Sequence, residues 1–119
     1  MKIQVQAGEH VIVYALNNSR AAKALYAQLP LRTTVENFST NEKVFYPPQK
    51  LSIAGAPFVD AQKGTLAYYA PWGDVVMFYD HFGKGSNLYE LGTVISGEEF
   101  IEALSGSVEI TGEKETAQE

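Results

Sequence analysis

Tyr68-Tyr69-Ala70-Pro71-Trp72-Gly73-Asp74-Val75-Val76-Met77-Phe78-Tyr79 is the stretch that decides the fold of this 119-residue chain. A Pro-Trp-Gly turn separates two segments of strand character, and the second, Val75 to Tyr79, is apolar at every position. Pro and Gly so close together mark a turn. A strand with no polar face asks to be covered by protein on both sides. Register between the two segments is open at Tyr68 and Tyr69, because a slip of one residue exchanges which ring points inward.

The segments on either side have the same short, extended character. Ile3 to Ala7 alternates apolar with polar residues, and after Gly8-Glu9 a second apolar run, Val11 to Leu16, completes an opening hairpin. Asn17-Asn18-Ser19 offers side-chain oxygens to cap a helix in which Ala22, Leu25 and Leu29 recur at helical spacing, about three turns long, until Pro30 stops it. Leu31, Thr33 and Val35 alternate with polar residues in a third strand that runs toward Phe38. Ser39 to Lys43 reads as polar loop. Val44-Phe45-Tyr46 is extended, and Pro47-Pro48 places it at a rim or edge.

Leu51 to Ile53 reads as a brief pairing segment, and Lys63-Gly64 turns into Thr65 to Ala70. His81 to Asn87, with Gly83 and Gly85, reads as loop. Leu88 to Ile95 is strand-like, with Gly92 where a bulge or close backbone approach is expected. Gly97-Glu98-Glu99 opens a second helix with Phe100, Ile101 and Leu104 on its apolar stripe, and Gly106 stops it. Val108 and Ile110 give a last strand. Residues 1–111 are thus expected to form one domain, with 112–119 as a mobile polar tail.

Many short strands with two short helices and no βαβ alternation predict a mainly β protein. A closed antiparallel barrel of about eight strands, capped by the two helices, removes the exposed edges that such strands otherwise leave.

Composition narrows the function. Nine Lys plus Arg against fourteen Asp plus Glu give a net charge of −5, so nucleic acid is not an expected partner. The absence of cysteine removes disulfides, thiolate nucleophiles and Cys-ligated metals. The first ten residues alternate instead of forming an apolar block, and no apolar run reaches the ~20 residues that span a bilayer. The expectation is a soluble, cytoplasmic protein with no membrane partner.

Several motifs in one order resemble the bacterial cyclophilin-like fold family, small proteins that share a barrel without an established activity. They are Asn18 to Pro30, Asn41-Glu42-Lys43, the Pro48-x-x-Leu51 and Gly55-Ala56-Pro57 segment, Tyr69-Ala70-Pro71-Trp72-Gly73, Phe78-Tyr79-Asp80 and Leu91-Gly92. The resemblance covers nearly the whole chain and implies the cyclophilin-like barrel, although a shared fold does not carry a shared reaction. True cyclophilins are prolyl isomerases that look for an Arg after the Phe of a Phe-His-Arg run. The counterpart here is Phe45-Tyr46-Pro47, and the position that resembles the proline-pocket His is Leu88. Arg20 and Arg32, the only arginines, lie elsewhere. Polarising an amide against a barrier of ~20 kcal/mol requires such a donor.

The expected activity is therefore binding, of a short peptide segment or small ligand, at an aromatic, proline-flanked rim. Tyr46, Phe58, Tyr69 and Trp72 are the expected contacts, with Glu42 and His81 as polar neighbours. No catalytic residue, cofactor or metal is assigned, since His10 and His81 lack ligand spacing. Asp74, Asp80, Glu42 and Glu90 permit a two-carboxylate mechanism if they converge, but strand-end acids are expected at the surface. A weak prolyl isomerase is the alternative, and a structural homodimer formed through exposed aromatics is a third reading.

Overall fold

The computed structural model describes residues 1–113. Within them the strands are β1 (Lys2–Ala7), β2 (His10–Leu16), β3 (Leu31–Phe38), β4 (Glu42–Phe45), β5 (Phe58–Ala61), β6 (Thr65–Tyr69), β7 (Asp74–Phe78), β8 (Gly83–Ser96) and β9 (Gly106–Glu113), with one helix, α1 (Arg20–Tyr26). Every pairing is antiparallel. The strands run in the order β2-β1-β9-β3-β4-β7-β6-β8, and a β2–β8 pairing closes them into the eight-stranded barrel that the sequence predicts. β5 is an additional strand, attached to the first part of β8.

Alternation along the strands decides what the barrel encloses. Ile3, Val5, Ile12, Tyr14, Phe45, Leu66, Tyr68, Val75, Met77 and Leu91 fill the interior. Residues one step out of phase, Val44, Ala67, Val76, Phe78 and Leu88, join Val59 and Ala61 of β5 in a second, smaller apolar cluster on the outer face. β7 is therefore apolar from Val75 to Phe78 because it is covered from inside by the main core and from outside by the β5–β8 flap. The register question resolves the same way. Tyr68 points inward and Tyr69 outward.

Gly92 sits where β8 is paired with both β2 and β6, opposite Leu16 and Leu66. A Cβ there would collide with the Ala15 carbonyl oxygen, so the close approach read from the sequence is a requirement of barrel closure.

Some elements differ from expectation. Ser19 caps α1 by accepting a hydrogen bond from the Ala22 N–H, but the helix has about two turns. The Gln28 and Leu29 N–H groups bond three residues back, to Leu25 and Tyr26, which tightens the chain before it reaches Pro30. The second helix is a 3₁₀ turn, Glu98–Phe100, continued by further three-residue bonds to Leu104. Gly97 gives it no side-chain cap, although Ile101 and Leu104 are buried as expected.

The polar stretch Ser39 to Lys43 is not all loop: β4 begins at Glu42, which pairs with Phe38 and Phe78. Likewise the glycine-containing stretch after His81 enters β8 at Gly83, because β5, which lacked a clear sequence signal, supplies backbone partners at Asp60 and Ala61. Leu51 to Ile53 forms no strand. Its Leu51 N–H instead donates to the Tyr68 hydroxyl at 3.0 Å. β9 continues through Gly112 and Glu113, opposite Ile3 and Lys2, and the remainder of the expected tail, 114–119, lies outside the described residues.

Candidate functional site

The outer face of the β4–β7–β6 wall is hollow. A pocket of about 400 Å³ opens there, lined by Phe38, Glu42, Tyr69, Trp72, Asp74, Val76, Phe78, Phe82, Gly85, Ser86 and Leu88. Strand register accounts for most of this set. In one row across the sheet Leu88 faces Tyr69 and Tyr69 faces Asp74. In the next, Ala67 faces Val76 and Val76 faces Val44. In the third, Phe78 faces Glu42 and Glu42 faces Phe38. The floor is apolar, and a carboxyl stands at each of two diagonal corners.

The turn that joins β6 to β7 supplies the wall. Gly73, at φ 74°, closes it by donating its N–H to the Tyr69 carbonyl, and this lifts Trp72 over the pocket. Its indole meets the Phe38 ring at 5.3 Å and 87°, and the Tyr69 ring at 5.5 Å and 82°. The Trp72 ring stands nearly perpendicular to each of the other two, the edge-to-face geometry that aromatic quadrupoles favour.

Asp74 is 2 % exposed and Glu42 8 %, which overturns the expectation that these acids lie at the surface. Both open their strands, but the outward face of this wall is covered by β5 and β8, so a strand end is not a solvent position here. Burial, and then the charge of Asp74, pushes the Glu42 carboxyl up to about 7. Burial also raises Asp74, and a hydrogen bond from its own backbone offsets part of the effect. The Oδ1 atom of Asp74 is buried without a hydrogen-bond partner among the described residues. Among the described residues no lysine, arginine or histidine lines the pocket.

The six expected contacts separate. Glu42, Tyr69 and Trp72 come together in the pocket. Tyr46 is half exposed beyond the Asp74 end, outside the lining, where burial and the charges of Asp74 and Glu36 raise its phenol. Phe58 stacks on Tyr89 at 5.2 Å and lines a neighbouring depression with Asp60 and Lys84, which meets the pocket at Gly85 and Ser86. His81 is exposed, and its backbone N–H is taken by the Asp80 side chain.

Phe38, Phe82 and Ser86 are lining residues that sequence reasoning missed, together with Phe78 and Leu88, which serve both core and pocket; Asp74 enters the sequence reading only as one of four acids able to pair if they converge. One usable signal existed: Asp74, Val76 and Phe78 share a face of β7, so a carboxylate shares its side with an apolar cluster. Arg32 reaches Glu109 across the β3–β9 ladder at 3.9 Å, and Arg20 opens α1. Among the described residues no three His, Asp or Glu side chains converge in a metal-binding group. No described helix is long and apolar enough to cross a membrane.

A family model described as the cyclophilin-like family matches residues 5–113, and the chain belongs to that family. It is similar to the solution structure of the hypothetical protein AF2241 from Archaeoglobus fulgidus, with a TM-score of 0.70 and 16 % identity over 93 % of each chain. At that identity the likeness is one of fold. No curated protein matches the chain.

Proposed function

We propose that this member of the cyclophilin-like family is a binding domain that takes a small ligand or a short peptide segment into the pocket on its outer wall. The observation that carries this reading is the convergence of Phe38, Tyr69 and Trp72 over an apolar floor, in a concavity within the size range of small-molecule sites. Binding energy comes from apolar area covered by Val76, Phe78 and Leu88, at roughly 25 cal/mol per Å² before the costs of association. Orientation comes from the two carboxyls and Ser86. This reading uses Tyr69, Trp72 and Glu42 and does not use Tyr46 and Phe58, which lie outside the lining.

Trp72 is the single tryptophan of the chain, so its emission reports occupancy directly. The test is a fragment library screened by Trp72 fluorescence and by amide chemical shifts of the β4, β6 and β7 strands. Ligands that shift both, and lose at least tenfold in affinity with Trp72→Leu, support the reading. Ligands that perturb only the Phe58 and Tyr89 side of β8 overturn it.

A further inference from the structure

The outer-wall pocket contains an imbalance that its apolar floor does not explain. Among the described residues it holds two carboxyl groups and no cationic side chain. One of them, Asp74, keeps an oxygen that is buried and has no hydrogen-bond partner among the described residues. Leaving a buried acceptor unsatisfied costs stability, and more when the group is charged. A barrel wall with apolar residues at these two corners would avoid that cost. The open acceptor lies in the row that holds Tyr69, directly across the ladder from it, beside the corner formed by Trp72.

Resting on the proposed binding role of this pocket, we infer that its ligand carries a cationic head, an ammonium or alkylated ammonium group joined to an apolar body, with the head against Asp74 and the Tyr69–Trp72 corner. An ammonium supplies both parts of what the corner lacks. Its charge satisfies the carboxylate, and the faces of Trp and Tyr attract cations, more strongly when water is excluded. The apolar body then lies over Val76 toward Phe78 and Leu88. Glu42 at the far diagonal adds negative potential to the same cavity, without a competing lysine or arginine among the lining residues. An anionic ligand would meet two carboxyls and no compensating donor charge, and a neutral one would leave Asp74 as it stands.

The experiment is a matched titration of the intact protein at pH 8, followed by calorimetry and by Trp72 emission. Four probes share a benzyl body: benzyltrimethylammonium, benzylamine, benzyl alcohol and benzoate. A fifth, a blocked Gly-Lys-Gly tripeptide, presents the same ammonium on a peptide. The expected result is that the two cationic benzyl probes bind at least tenfold more tightly than the alcohol, with benzoate weakest. Asp74→Asn should erase that preference while the alcohol is unaffected. Should Asp74→Asn fail to fold, Glu42→Gln and added salt provide the second reading, each reducing the cation preference. Tripeptide binding that exceeds benzylamine assigns the head to a peptide lysine, and the reverse assigns it to a free amine. Equal binding of alcohol and cations overturns the charge inference and leaves the pocket's binding role standing. No binding by any probe, with a fragment hit elsewhere on the surface, overturns both.

Discussion

The ring of Phe38, at the end of β3, stands edge-on to the indole of Trp72 at 5.3 Å, so two segments 34 positions apart in sequence share one wall of the pocket. Phe38 is 43 % exposed and Trp72 51 %, which makes this contact a feature of the site more than of the core. Phe38→Ala should cost the fold no more than about 1 kcal/mol, the range for substitutions outside the core. It should nevertheless release Trp72, moving its emission to the red and weakening pocket ligands several-fold. Phe58→Ala, outside the pocket lining, should leave Trp72 emission and ligand affinity unchanged. Urea titration and fluorescence on the two variants check both statements.

Glu42 makes stability depend on pH in a direction opposite to that of a salt-bridged carboxylate. Its folded value, about 7, lies above the ordinary 4.5, so between those values the folded chain holds more protons than the unfolded one. Stability therefore falls as pH rises from 4.5 through 7 and levels off above. Across the ladders Glu42 faces Phe38 on β3 and Phe78 on β7, and it shares the pocket with Asp74, Tyr69 and Ser86. None of them offers a cation. Glu42→Gln removes the penalty, and at pH 8 the variant should be more stable by about 1–2 kcal/mol, a difference that vanishes near pH 4. Urea midpoints at pH 4, 6 and 8 measure it. A difference that grows toward acid pH would contradict the assignment.

The barrel was legible because its signal is the period-two alternation of β1 and the start of β3, joined to the apolar run of β2 and the doubly apolar Val75 to Phe78. That pattern requires a covered sheet whatever the loops do. The site was only partly legible, for a reason visible in β5. Four residues, Phe58-Val59-Asp60-Ala61, carry little strand signal, and their pairing with Gly83 and Lys84 is made by backbone groups that sequence does not display. Without that flap Glu42 and Asp74 read as surface acids. With it they are buried. Trp72 and Tyr69 were readable as contacts because the Pro-Trp-Gly turn fixes them together, whereas Phe38 reaches them only through the closed order β3-β4-β7-β6.

Two interior tyrosines predict opposite outcomes for the same substitution. The Tyr68 hydroxyl accepts the Leu51 N–H at 3.0 Å in a buried setting, so Tyr68→Phe strands a backbone donor and should cost about 1–2 kcal/mol. The Tyr14 hydroxyl is fully buried without a hydrogen-bond partner among the described residues, and burial, with the charge of Glu98, raises its phenol. Tyr14→Phe removes an unsatisfied group and should be neutral or stabilise by up to about 1 kcal/mol. Thermal melts of the pair decide it, and a large loss in Tyr14→Phe would show that the hydroxyl holds a buried water.

Barrel closure concentrates at Gly92. Its backbone lies between β2 and β6, and any side chain there runs into the Ala15 carbonyl oxygen. That obstacle is backbone, which has no rotamer by which to withdraw, so Gly92→Ala must separate β8 from β2 and break ladder bonds around Leu16. The expected cost is above about 2 kcal/mol, in the class of overpacked interior positions. Gly8→Ala, in the β1–β2 turn, meets no atom within 4 Å, although its φ of 60° carries some strain. It serves as the control and should cost about 1–2 kcal/mol. Amide exchange separates the two mechanisms. Gly92→Ala should accelerate exchange at Tyr14 to Leu16 and Leu91 to Val94 together, because the seam opens as a unit, whereas Gly8→Ala should affect the turn alone. Uniform acceleration in both variants would mean that the β2–β8 seam is no weaker than the rest of the wall.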